Sequence, residues 1–265
     1  MKDYKEFTGY KQALANRNLI FLATVGSTML GLERKEQSDT DEMAVSLETP
    51  EQLLGFSPFE HDVYRSAVER THKNDAKSEA GDVDLTIYGL RKFVRLLLTG
   101  NPNVLATLYL SKDKFTVYAP IMEELQSLAT ALISKEGVKA FLGYLRAQRM
   151  RLEGTRGQMR VNRDDLVGAH GYDTKYAMHA MRLAMQGYEF ARTGRLKLPM
   201  STDHIKFLTA IRSGDKSYTN ILENLQSYEE DIFHHLDSND PGLPNKPDYD
   251  KVEQWLIGVY RREWW

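Results

Sequence analysis

The sequence predicts an α+β fold, a mixed sheet with helices over roughly the first 115 residues, followed by an all-helical domain over 116–265. Two short apolar runs of strand-compatible residues, Leu19 to Val25 and Asp82 to Tyr88, point to the sheet. From Pro120 onward apolar residues recur at helical spacing instead. A hydrophobic share of 42% over 265 residues supplies a core for one large domain or two modest ones.

The elements can be justified in order. Tyr4 to Asn16 reads as a helix leading into the strand Leu19 to Val25. Gly26-Ser27 breaks that strand, and Thr28 to Leu32 reads as a short helix. Glu33 to Ser38 is entirely polar, a loop, and Asp41 to Leu47 alternates as a second strand. Pro50 opens a short helix through Leu54, which Gly55-Phe56-Ser57-Pro58 ends. Phe59 to Gly81 reads as a polar connection, most loop-like from Lys73 to Ala80. After the strand Asp82 to Tyr88, the stripe Leu90, Phe93, Val94, Leu97 and Leu98 marks a helix that stops at Gly100. Asn101 caps, and Pro102 opens, a short helix through Tyr109. Helices are then predicted over Ile121 to Ile133, Val138 to Leu152, Tyr172 to Thr193, Ile205 to Arg212 and Tyr218 to Leu236. Asp237 to Asp250 is a loop, and the aromatics of the terminal helix Val252 to Trp265 dock on the body.

Chemistry concentrates between Asn18 and Leu47. Gly26 lets backbone approach a ligand, Ser27 supplies a hydroxyl, and amides at the start of the following helix attract anions, so this turn suits the phosphates of a triphosphate. Ser38-Asp39-Thr40-Asp41 follows. In an extended chain Asp39 and Asp41 project to one side and can share a hard cation, magnesium or alternatively manganese, with substrate phosphates. Asp84 lies between Val83 and Leu85, and an acid in such a strand needs a partner or a cation. It is the natural third carboxylate. The plainer readings are a solvated Asp-x-Asp turn, and Asp82 and Asp84 facing solvent at a sheet edge.

These motifs resemble the DNA polymerase beta superfamily of nucleotidyltransferases: a strand, Gly26-Ser27, Gly31-Leu32, Asp39-x-Asp41, and a later carboxylate, Asp84. Tyr88-Gly89-Leu90-Arg91-Lys92-Phe93, Gly100-Asn101-Pro102-Asn103-Val104-Leu105, Tyr176-x-x-His179-x-x-Arg182 and the Leu243-Pro244 to Pro247-Asp248 segment resemble the bacterial and phage RNA-repair-pathway polymerase-beta-like proteins. The resemblance implies a polymerase-beta-like core with a helical domain closing its cleft. It also implies transfer of a nucleoside monophosphate from an NTP to an acceptor hydroxyl, with release of pyrophosphate. Asp39 and Asp41 would hold magnesium, and Asp84 would hold a second ion and help activate the acceptor. The acceptor would be an RNA 3′ end such as that of a tRNA, or else a small molecule or a protein. A metal-dependent glycosyltransferase and a non-catalytic nucleic-acid or protein-binding module are the alternatives.

Further basic groups suit anions. Lys175, His179 and Arg182 fall on one helix face, either a stripe for phosphates together with Gly26, Ser27 and Ser38 or a partly solvated structural stripe. Between Lys139 and Arg163 a basic surplus that includes Arg146, Arg149, Arg156 and Arg160 could hold a polynucleotide, or could form a solvated face. The formal charge of −2 means that any such contact is local. The absence of cysteine rules out disulfides and thiolate metal sites, and His234-His235 diverge on a helix and make a poor metal pair. Met1 to Lys11 is too polar for a secretory signal and no apolar run reaches membrane-spanning length, so a cytoplasmic protein with no membrane contact is expected.

Overall fold

Alternation of side chains explains the sheet. In the computed structural model, which describes residues 6–32, 39–155, 163–237 and 242–265, the strands are β1 Asn18–Thr24, β2 Thr40–Leu47, β3 His61–Arg65, β4 Val83–Gly89 and β5 Phe115–Tyr118. They form one sheet in the order β3-β4-β2-β1-β5. β2 and β4 run parallel, and every other pair is antiparallel, so the sheet is mixed as expected. On β4, Val83, Leu85 and Ile87 are buried and pack with Tyr10, Leu22 and Ala44. Phe21 on β1 meets Phe93 and Phe115 edge to face, with ring centroids 5.3 and 5.5 Å away.

The helices up to the fifth strand are α1 Thr8–Leu14, α2 Gly26–Leu30, α3 Pro50–Leu54, α4 Ser66–Thr71, α5 Leu90–Leu98 and α6 Pro102–Leu105. Those after it are α7 Pro120–Ser127, α8 Ala129–Leu132, α9 Lys135–Leu152, α10 Asp164–His170, α11 Thr174–Thr193, α12 Thr202–Arg212, α13 Tyr218–Asp237 and α14 Tyr249–Trp264. Caps fix several starts. Thr49 and Gln52 form a reciprocal capping box on α3, Asn101 accepts from the amides of Asn103 and Val104, and Asp173 accepts from those of Lys175 and Tyr176.

Three places differ from the sequence reading. The polar connection Phe59 to Gly81 contains edge strand β3 and helix α4. Only one side of β3 has a neighbour and its residues are largely exposed, so it carries no apolar alternation. The single helix Ile121 to Ile133 is two, broken at Leu128. β5 and α10 were not distinguished from their surroundings.

By contacts the chain sorts into two units. The sheet unit comprises Met1–Leu97, Thr107–Ala131 and Tyr249–Trp265; the helical unit comprises Leu98–Ala106 and Leu132–Asp248. Within the sheet unit the aromatics of α14 dock as anticipated. Trp255 Nε1 donates to Glu124 at 2.9 Å, the Tyr260 hydroxyl to Glu48 at 2.7 Å, and Trp264 Nε1 to the Glu48 carbonyl at 3.0 Å. Within the helical unit α11 packs against α9, α12 and α13, and Phe141 and Phe190 lie 5.4 Å apart between α9 and α11.

Candidate active site

The end of β1, the starts of β2 and β4 and the end of β3 lie side by side at one end of the sheet. Asp41 on β2 stands opposite Asp84 on parallel β4, and Asp84 stands opposite Arg65 on β3. Residues aligned across neighbouring strands share a sheet face, so the two carboxylates face the same way. On the other flank the Val25 amide donates to the Asp41 carbonyl at 2.8 Å, bringing Gly26 against Asp41. Gly26 has φ +64°, and a Cβ there would overlap Oδ2 of Asp41 and come within 3.0 Å of its Cγ. Glycine is therefore required twice at this position, by its conformation and by the carboxylate beside it. Ser27 follows within α2, half-buried. Asp39 immediately precedes β2, whose entry is set by the Thr40 amide donating to the Asp82 carbonyl at 2.8 Å. Ser38 lies outside the described residues.

The alternation expected at Asp84 holds: Val83 and Leu85 are buried and Asp84 is half-buried on the opposite face. Its carboxylate is partnered. Arg65 Nε donates to Oδ1 at 3.3 Å, and the Ser78 hydroxyl is 3.0 Å from Oδ1 and 3.1 Å from Oδ2. Arg65 also donates to the Ala76 carbonyl and to Ser78, so it ties the 73–80 loop to the acid. Asp82 does not face solvent. It is 5% exposed and accepts from Ser66, Arg70 and the Glu79 amide. Burial opposes its charge, yet Arg70, the Glu79 amide and Ser66 together hold its pKa below the ordinary carboxylate value. Asp82 is thus a structural acid next to the candidate catalytic one.

Among the described residues no three His, Asp or Glu side chains are grouped so as to hold a metal ion. The donors whose chemistry fits a hard divalent cation are the oxygens of Asp39 and Asp41, two carboxylates with the remaining positions left to phosphate and water. Asp84 stands in the same row but is held by Arg65 and Ser78.

In the helical unit, Lys175, His179 and Arg182 lie half-buried on α11. Burial, then Arg182, Lys175, Arg163 and Arg212, lowers the His179 pKa from 6.5 to about 3, so its imidazole is neutral in the folded protein at physiological pH. Arg163 is paired with Asp173 at 2.9 Å and lies over the Tyr176 ring, and Arg182 reaches Asn103 at 3.5 Å. Arg146 is exposed on α9, but Arg149 is neutralised by Glu153 at 2.8 Å and Glu229 at 3.2 Å. Arg156 and Arg160 lie outside the described residues.

The RNA repair pathway DNA polymerase beta family matches the chain over residues 3–258. The chain belongs to that family. It is accordingly a nucleotidyltransferase of the polymerase beta kind, which sets aside the glycosyltransferase that an Asp-x-Asp also admits. No curated protein matches it. Among solved structures it is similar to a nucleotidyltransferase-like protein from Exiguobacterium sibiricum 255-15, at 11% identity and a TM-score of 0.31, over 98% of this chain and 79% of that one. In this family member the sequence motifs singled out the acidic residues but missed Arg65, which reaches Asp84 through strand pairing, and Ser78, which reaches it from a loop of ordinary polar composition.

Proposed function

We propose that the protein moves a nucleoside monophosphate from an NTP to an acceptor hydroxyl, and that the acceptor is an RNA 3′ end, with a tRNA end favoured. The observation supporting the transfer best is the row Arg65, Asp84, Asp41 and Gly26 across one end of the sheet, with Asp39 one step before β2; the RNA acceptor is taken from the family's RNA repair description. Asp39 and Asp41 hold the metal; Gly26 and Ser27 receive the phosphates. A bound magnesium ion supplies neutralisation of the charge that builds on the triphosphate. Asp84, oriented by Arg65 and Ser78, takes the proton of the acceptor hydroxyl; each carboxylate oxygen has two acceptor sites, so Oδ2 keeps capacity beyond its bond from Ser78. The acceptor oxygen then bonds to the α-phosphorus, the bond from that phosphorus to the α–β bridging oxygen breaks, and pyrophosphate leaves. Positioning and electrostatics account for the rate, with no separate nucleophilic residue. Lys175 and Arg182 are assigned to anion binding on the helical unit by their charge, and the neutral His179 between them only as an N–H donor.

The test is incubation of purified protein with each α-labelled NTP and magnesium, offering RNA, small metabolites and protein as separate acceptors. Label in RNA, removed by 3′-end blocking, is the expected result. Label confined to the metabolite or protein pool would move the acceptor to that class.

A further inference from the structure

A cavity of about 660 Å³ opens in the helical unit between α9, the end of α13 and the segment after residue 242. That volume lies within the roughly 300–1,000 Å³ of small-molecule sites. Its wall carries four basic side chains, those of Lys135, Lys139, Arg146 and Lys246, against the acids Glu136 and Asp237. The chain as a whole has a formal charge of −2, so the positive surplus is a property of this place.

Backbone amides do not supply the anion contact. At the start of α9 the Lys135 amide donates to the Pro244 carbonyl at 2.8 Å and the Glu136 amide to that of Asn245 at 3.3 Å. Lys135 Nζ is itself directed to the Leu236 carbonyl at 2.9 Å. Lys139, Arg146 and Lys246 are left as the charges that meet a ligand, and among the described residues none of the three is in an ion pair. Phe233 stands in the same wall, 38% exposed, with the Arg146 guanidinium 5.1 Å from its ring centroid. An aromatic ring and a guanidinium plane are the two surfaces on which unpaired bases stack.

Gly143 completes the site. It lies within α9, between Lys139 and Arg146, where glycine costs about 0.5–1 kcal/mol relative to alanine. A Cβ there would meet nothing within 4 Å, so packing does not demand the glycine. What it does is leave the helix face open between two of the cations.

From these features the structure assigns the cavity to one nucleotide of a single-stranded RNA, its base stacked on the open face of the Arg146–Phe233 pair and its phosphate on Lys139 and Lys246. An acidic peptide would use the lysines but leave the aromatic ring without a role. The assignment rests on RNA being the acceptor of the proposed transfer.

The test is fluorescence anisotropy with an end-labelled single-stranded RNA of about a dozen nucleotides, using the full chain in EDTA without NTP. Phe233→Ala and the double variant Lys139→Glu with Lys246→Glu should each weaken binding roughly tenfold or more, while Phe233→Tyr retains it. Gly143→Phe should block binding by filling the cavity, and thermal melting checks that each variant is folded. NTP binding, measured separately with magnesium, should be unchanged in all of them. RNA affinity equal to the parent's in the folded Phe233 and lysine variants would overturn the assignment, as would a parent protein that binds no RNA. Binding of a free mononucleotide that depends on the same residues and that RNA does not displace would also overturn it, and would give the cavity to a small nucleotide. RNA binding that depends on the cavity, in a protein that transfers no nucleotide, would support the cavity and count against the proposed reaction alone.

Discussion

Gly26 and His179 show how much single residues constrain this molecule. Gly26→Ala places a side chain at φ +64° and drives a methyl into the Asp41 carboxylate. The left-handed conformation costs about 1–2 kcal/mol for an L-residue. We expect stability to fall by roughly that amount and nucleotidyl transfer by more than tenfold, since Asp41 is displaced; urea denaturation and label transfer measure the two. His179 gives a pH dependence. Above its unfolded pKa of 6.5 the imidazole is neutral in both states and contributes nothing. As pH falls below 6.5 the unfolded chain takes up a proton that the folded one refuses until about pH 3, so stability drops with acidification. The loss approaches about 1.4 kcal/mol per pH unit, or roughly 2 kcal/mol by pH 5. Denaturation at several pH values should show this slope, and His179→Gln should flatten it by that amount; identical slopes would refute it. At this scale the sequence marked Asp39 and Asp41 as candidates by their local spacing, and Asp84 by its place between Val83 and Leu85. Arg65 was invisible because its role comes from a strand register, and Ser78 because nothing in a polar loop marks which hydroxyl turns back to Asp84.

Among the elements, α5 and α14 depend on one buried acid that no periodicity could single out. Glu48, 1% exposed at the end of β2, accepts from the amides of Leu90 and Arg91 at 2.9 and 3.1 Å and from the Tyr260 hydroxyl at 2.7 Å. Burial, then the Glu48 charge, pushes the Tyr260 pKa well above its ordinary value, so the phenol stays protonated and donates. Glu48→Ala would leave the Leu90 amide and the Tyr260 phenol buried without an acceptor, at about 1–3 kcal/mol each before relaxation, and would free the partly buried Arg91 amide. We expect a loss of at least about 3 kcal/mol in urea denaturation, with partial rescue in Glu48→Gln. Glu48 escaped the sequence reading because its partners lie 42 and 212 residues further along the chain. Strands β1, β2 and β4 and helices α3, α5, α9 and α11 were legible, since each carries its own alternation, stripe or cap. Edge strand β3 was not, because exposure on an unpaired edge removes the apolar pattern that would mark it.

For the whole molecule, sequence order and structural grouping differ in a way that bears on function. The sheet unit is assembled from three separate stretches, the last of them α14, and α14 closes on Glu48 at the end of the strand that begins with the candidate acids. The nucleotidyl-transfer chemistry is proposed for that unit and an RNA-binding cavity for the helical one, and no helix among the described residues is long and apolar enough to cross a membrane. The central claim is that Asp39 and Asp41 carry nucleotide transfer. Its most direct measurement is incorporation of α-labelled NTP into an RNA acceptor by the parent protein, Asp39→Ala and Asp41→Ala, with melting curves for all three. The account predicts variants that melt like the parent and transfer less than about a hundredth as much, in keeping with the several kcal/mol that metal-held charge contributes to such steps. Full transfer by either folded variant would contradict it.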